Sequence, residues 1–192
     1  DLSKIAVINM DNEYKQKREY AFPADFPDFV NPYSDGVYHG EALNVVGDYL
    51  YELFYVNQGS GYADYYDSIL AKFEIDLETG QLYFEDYVTV GKNTFTLDLY
   101  GNKLYACSLG GMQQIGRGNA NTNICIVDLN NFTQSSVVTV TFADPITQGD
   151  FRDISIVNDD NVYIFAGHYG SDYVNFTGRV YHTTLANLTN PL

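Results

Sequence analysis

The chain contains no tryptophan, only two methionines, two cysteines and three histidines among its 192 residues. Two cysteines, Cys107 and Cys125, allow one disulfide at most: on neighbouring β-rich runs they either face each other as a cross-strand disulfide, if the protein is exported, or serve as small core residues. No apolar run approaches the roughly 18 residues of a membrane-spanning helix. There is no G-x-S-x-G elbow and no H-E-x-x-H pair, so no motif announces a serine hydrolase or a zinc protease. Basic residues are scarce as well: 10 Lys and Arg stand against 25 Asp and Glu, a net charge of −15. That balance repels nucleic acid and anionic membrane surfaces, and it suits high solubility or cation binding. Neither nucleic-acid binding nor membrane insertion is therefore expected.

What is abundant is aromatic: 18 Tyr and 12 Phe in a chain that is 45% hydrophobic. This mixture favours pleated sheet over helix. No stretch keeps an apolar 3.6-residue period over three turns, so an all-β chain with almost no helix is expected. The length suits one domain, or part of a larger one. Starting at Asp1 without an initiator Met or a basic-then-apolar leader, the chain reads as a mature or excised piece. Its many Asn, Gly, Thr and Tyr residues and few Lys resemble bacterial extracellular or periplasmic proteins, so an extracellular, periplasmic or cell-surface location is expected.

Internal similarity organises the chain. "NVVGDYLYELFYVN", "DLYGNKLYACSLGG" and "SIVNDDNVYIFAGH" each join two β-rich runs through a tight Gly/Asp/Asn turn. The second run opens with an aliphatic-Tyr pair, and these pairs (Leu50-Tyr51, Leu104-Tyr105, Val162-Tyr163) start 54 and then 58 residues apart. Further hairpins interleave: "KIAVINMDNEYKQKREY", "LAKFEIDLETGQLYFEDY", "NICIVDLNNFTQSSVVTV" and, less regularly, "GRVYHTTLANLTNPL". Two successive hairpins repeated at about 55 residues amount to one four-stranded antiparallel sheet per repeat, the unit of a β-propeller blade. With strands lettered A to D from the inside outward, residues 1–22 supply a C–D hairpin of a partial blade. Residues 37–90 and 93–142 form blades, and residues 151–192 form a further partial blade.

The C–D connections "VINMDNEYK", "FEIDLETGQL" and "IVDLNNFTQ" resemble the turns of YVTN-type and related extracellular β-propeller repeats. Ile75-Asp76 and Val127-Asp128 match the aliphatic-Asp ending of that pattern, whereas Ile8-Asn9 and Thr183-Thr184 depart from it. The resemblance implies the fold and identifies no function. Propellers close with about four to eight blades. Holding about three, this chain is expected to be a segment whose end faces are covered by the remaining blades, or by a second copy.

The A–B and C–D turns are short, while "NQGSGYADYYD", "GGMQQIGRGNANT", "GHYGSDYVNFT", "AFPADFPDFVNPYSDG" and "ADPITQGD" elaborate the other face. Binding chemistry is expected on that loop-rich face. Alignment on the aliphatic-Tyr pairs sets His39, Gly40 and Glu41 against Asn93, Thr94 and Phe95, and against Phe151, Arg152 and Asp153. As hard oxygen donors, Glu41, Asn93 and Asp153 are candidate Ca²⁺ ligands, although short polar side chains also cap strand ends; no other cofactor is implied. Glu41 and Asp153, with His39 as acid or base, are the candidate catalytic groups. Tyr62, Tyr65, Tyr66, Tyr169 and Tyr173 offer either an aromatic platform for a glycan or protein, or simple loop packing. Arg117 and Arg152 either hold an anion or form local ion pairs. Together with Asn93 and His168 they complete the candidate ligand-binding set. The expected function is a non-catalytic propeller that binds a protein or carbohydrate partner. The alternatives are a hydrolase or lyase at the channel mouth, and a structural component of a surface layer or filament.

Overall fold

In a computed structural model, which describes residues 4–8, 17–59 and 64–188, the chain is all-β, with antiparallel strands throughout. Strands β1 (Lys4–Ile8) and β2 (Lys17–Ala21) form a hairpin. A four-stranded sheet follows in chain order: β3 (Gly36–Val46), β4 (Tyr49–Gln58), β5 (Tyr65–Asp76) and β6 (Gln81–Lys92). A second one repeats the order with β7 (Thr94–Tyr100), β8 (Lys103–Ser108), β9 (Asn123–Asp128) and β10 (Val138–Val140). β11 (Asp150–Asn158), β12 (Asn161–Tyr169) and β13 (Phe176–Thr183) make a three-stranded sheet. Among the described residues helix is confined to one turn, α1 (Pro145–Gln148), and two single 3-10 turns in the β9–β10 connection.

Local chemistry explains the tight hairpins. Val46 pairs with Tyr49, leaving a two-residue turn whose first member, Gly47, has φ +59°. A side chain disfavours that conformation, and glycine adopts it without penalty. The β11–β12 turn has no glycine. Instead Asn158 Oδ1 accepts hydrogen bonds from Asp160 N (3.0 Å) and Asn161 Nδ2 (2.9 Å), an Asx-type turn, and a register shift leaves Val157 unpaired. At the β5–β6 turn Asp76 accepts from the backbone of Glu78 and Thr79 and from the Thr79 hydroxyl. These bonds hold its carboxyl below the usual range.

Strand alternation sends side chains to two sides of each sheet, and the sides pack into three apolar layers. Leu50, Phe54, Ile69 and Phe73 join Ile5 and Tyr20 of the first hairpin. The segment "AFPADFPDFV" belongs to this layer: Phe22, Phe26 and Phe29 are buried, and Phe22 stacks on Phe54 at 4.2 Å. This connection, expected among the long loops, therefore also serves the core. Tyr51, Leu53, Leu70 and Val88 meet Leu104, Ala106 and Val127 of the second sheet. Cys107, Ile124 and Val140 meet Phe151, Ile154 and Ile164 of the third. Both cysteines are free and buried. Ala106, not Cys107, is the register partner of Cys125, so the two thiols point to opposite faces of one sheet and lie in different layers. A cross-strand disulfide is ruled out by this placement.

First strands meet across the layers. Asn44 Nδ2 donates to Leu97 O (3.4 Å), Thr96 Oγ1 to Arg152 O (3.5 Å), and Ile156 N to Asp98 Oδ2 (3.0 Å). Beyond the layers the described residues leave two apolar faces exposed: Leu43 and Val45 on the side of β3 away from β7, and Val157, Tyr163, Phe165 and Val180 on the side of the third sheet away from the second.

Candidate binding site at the loop end of the sheets

All tight hairpin turns lie at one end of the sheets; the β4–β5, β6–β7, β8–β9, β10–β11 and β12–β13 connections lie at the other. A chain of buried hydroxyls ties this loop end together. Ser68 Oγ accepts from Thr94 N (3.1 Å), Thr94 Oγ1 donates to Gly91 O (2.6 Å) and pairs with Ser108 Oγ (2.6 Å). Thr122 Oγ1 then donates to Ser108 O and accepts from Phe151 N, both at 2.7 Å. The chain runs from β5 through the second sheet to β11. It leaves none of its hydroxyl oxygens unpaired, as burial requires. The long loops also bond each other: Gly116 N donates to Tyr169 O (2.8 Å), and Gly118 N to Ile146 O (2.9 Å).

On this frame the loops surround an open pocket of about 430 Å³. Tyr65 at the start of β5 forms one side. Asn93, between β6 and β7, lines it as well and is held at φ 53° with its amide donating to Gly111 O at 3.0 Å. Leu109, Met112 and Gln113 come from the β8–β9 loop, and Tyr169 and Tyr173 from the β12–β13 end. Tyr65 is buried, whereas Met112 and Tyr173 are more than half exposed. Residues of three successive sheets and their loops thus line one open pocket, three tyrosines among them.

Beside the pocket lies a buried polar cluster. Asp150 is fully buried, and its Oδ1 accepts from Asn119 N at 2.5 Å. Arg152 Nη2 lies 3.6 Å from Asp150 Oδ2, and Arg152 Nε donates to Gly167 O (3.1 Å). The guanidinium carbon is 5.1 Å from the Phe176 ring centre and 5.8 Å from that of Tyr169. Burial pushes the Asp150 carboxyl up, opposed by the Asn119 N–H and then by Arg152 and His168. The same burial lowers the Arg152 pKa against the pull of Asp150. Arg152 thus has the local ion pair that was one of its two expected roles.

His39 stacks on Tyr55 (ring centres 4.5 Å apart), and burial lowers its pKa, opposed by the neighbouring Asn57 side chain. Glu41 is exposed at a bulge between Gly40 and Ala42, with its carboxyl held somewhat above the usual range by desolvation. Asp153 is exposed, and its Oδ1 accepts from Ile154 N. Each first strand is bulged, at Glu41, Phe95 and Arg152. The extra unpaired Val157 shifts the third repeat by one residue, so Arg152, not Asp153, stands at the position of Glu41 and Phe95. Among the described residues no group of three or more His, Cys, Asp or Glu side chains is arranged to hold a metal ion. Tyr66 stacks on Tyr33 at 4.2 Å and donates to Asp35 Oδ1 (2.7 Å). Arg117 is exposed in the β8–β9 loop, and Tyr62 lies outside the described residues.

Sequence reasoning missed Asp150 and the Ser68, Thr94, Ser108, Thr122 chain. Only the last residue before "FRDISIV" and small hydroxyls at strand ends signalled them. No protein-family model, curated protein or solved structure matches this chain.

Proposed function

We propose that the chain is part of an extracellular or cell-envelope β-propeller, a non-catalytic module that binds a protein or carbohydrate partner through its loop end. Support for the propeller comes from four-stranded antiparallel sheets that follow one another in chain order and touch through their first strands. The uncovered faces of β3 and of the third sheet suit packing against further blades, or against a second copy. The observation that carries the binding reading is the pocket to which three successive sheets contribute, with Tyr65, Tyr169 and Tyr173 around it. Tyrosine gives rigid contact area and a polar tip at low entropic cost.

The test is binding of Tyr173→Ala to immobilised glycans and secreted proteins from the source culture. Tyr173 is exposed, so its loss removes contact area and leaves the core intact. Any partner held by the wild type is expected to bind the variant at least about threefold more weakly. The alternative enzyme would draw on His39, Glu41 and Asp153. Turnover of an ester, lactone or glycoside that is lost in Glu41→Gln or Asp153→Asn overturns the binding reading.

A further inference from the structure

Among the described residues two that are not glycine hold a left-handed backbone, Asn93 at φ 53° and Tyr173 at φ 56°. They lie in different connections, β6–β7 and β12–β13, yet both are among the seven residues that line the pocket. At the turn end the same conformation falls to glycine: Gly47 at φ +59°, Gly80 at φ +68° and Gly101 at φ +59°. Where only a hairpin has to close, the chain uses the residue that adopts this shape without penalty. Asparagine tolerates the left-handed region better than most side chains, whereas a bulky tyrosine there is a genuine outlier.

Neighbouring bonds enforce both conformations. Asn93 O accepts from Leu109 N (3.2 Å) and Asn93 Nδ2 donates to Gly111 O (3.0 Å), while Gly110 N donates to Lys92 O (3.0 Å). Tyr173 sits in a turn closed by Gly170 N to Asn175 O (2.6 Å) and by its own N to Gly170 O (3.1 Å). Asp172 Oδ1 secures that turn by accepting from Val174 N (3.1 Å) and Asn175 N (3.0 Å). Strain of this kind persists only where the surroundings over-determine it, and it collects at ligand-binding positions. The Tyr173 side chain is more than half exposed and has no hydrogen bond and no ring contact among the described residues. Its ring therefore does little for the fold that holds it in place. The Asn93 amide oxygen, too, is left as an acceptor without a partner among the described residues.

We infer that Asn93 and Tyr173 are the ligand-contacting pair of the pocket, fixed in left-handed conformations before any ligand arrives. The Asn93 amide oxygen accepts a hydrogen bond from the ligand, and the Tyr173 ring packs on it. Both roles rest on the pocket being the binding site; they add which residues bind and that these are preorganised.

Urea denaturation of the full chain, beside the screen on immobilised glycans and secreted proteins, tests it. Tyr173→Gly relieves the backbone and removes the ring, whereas Tyr173→Ala removes the ring and keeps the strain. The urea midpoint of Tyr173→Gly is expected about 0.5 M above that of Tyr173→Ala. Both variants are expected to bind whatever the wild type retains at least about threefold more weakly. Tyr173→Phe, which keeps the ring, is expected to match the wild type in both measurements. Asn93→Gly suits the backbone but lacks the amide, and is expected to weaken binding about threefold or more. Met112→Lys, which puts a charge among the lining residues, separates the failures. Binding lost in Met112→Lys but kept in Tyr173→Gly and Asn93→Gly overturns the inference and leaves the pocket reading standing. Equal midpoints for Tyr173→Gly and Tyr173→Ala overturn it as well. Binding unchanged in all of these variants, or a wild type that retains nothing, overturns the pocket reading and the inference with it.

Discussion

At the turn end of the sheets, polar side chains serve the backbone next to them: Asp76 caps its own turn, Asn158 caps another, and Asp128 Oδ1 accepts from Asn130 N two residues on. At the loop end they reach far along the chain. Thr94 meets Ser68, Asn119 meets Asp150, and Thr122 meets Phe151, separations of 26, 31 and 29 residues. Local bonds of the first kind make hairpins and can be replaced one at a time. Long-range buried bonds hold several sheets in one geometry, and at this end some polar atoms also remain without a partner inside the protein. The turn end is held by local bonds, and the loop end by distant ones.

Glycine shows the contrast most sharply. Gly110 has φ +85°, and an added Cβ would lie 2.4 Å from the backbone carbon of Asn121. Gly47 has φ +59°, but nothing stands within 4 Å of its would-be Cβ. Gly110→Ala is expected to cost about 4 kcal/mol in urea denaturation, from strain plus overpacking. Gly47→Ala should cost about 1 kcal/mol, the conformational part alone. Equal losses would break the comparison.

Next in size is Asp150→Ala, which strands the largely buried Arg152 and the Asn119 N–H. A loss of about 3 kcal/mol is expected by the same measurement. A loss under half of that would mean that Arg152 finds another partner, and would weaken the case for a fixed polar cluster.

Glu52, midway along β4 between Leu43 and Ala71, belongs to neither end. It is buried, its Oε2 has no hydrogen-bond partner, and burial raises its carboxyl from 4.5 to about 7. A folded-state pKa above the unfolded one means that ionisation opposes folding. The penalty is absent below pH 4.5, grows as pH rises towards 7, and is complete above that. Glu52→Gln is therefore expected to exceed the wild type by about 3 kcal/mol at pH 8, converging with it below pH 4.5. A constant difference across pH would show that Glu52 is paired in the folded chain.

Much of the sheet order was legible, because hairpin turns and strand alternation are local. The hairpins expected around Leu50-Tyr51, Leu104-Tyr105 and Val162-Tyr163 form as β3–β4, β7–β8 and β11–β12. Packing across layers was not legible, and hence "AFPADFPDFV" read as a surface loop although its three Phe residues enter the core. The site was half legible. Of the expected ligand-binding set, Tyr65, Asn93 and Tyr169 line one pocket, while Tyr66 is held by Tyr33 and Asp35. The bulge at Val157 moved the third repeat by one residue, and a one-residue slip exchanges the faces of a strand. That exchange is why Asp153 was aligned with Glu41 where Arg152 stands.

The chain's histidines offer a direct test of the loop end as the functional end. His39 and His168 lie toward that end, and His182, within reach of Asn161, lies at the turn end. Imidazole resonances followed by NMR during titration with a glycan or secreted protein that the wild type retains in the binding screen separate the two. A shift of His168, a smaller one of His39 and a stationary His182 is the predicted result. Movement of His182 alone, or no movement of His168 at saturation, would contradict it.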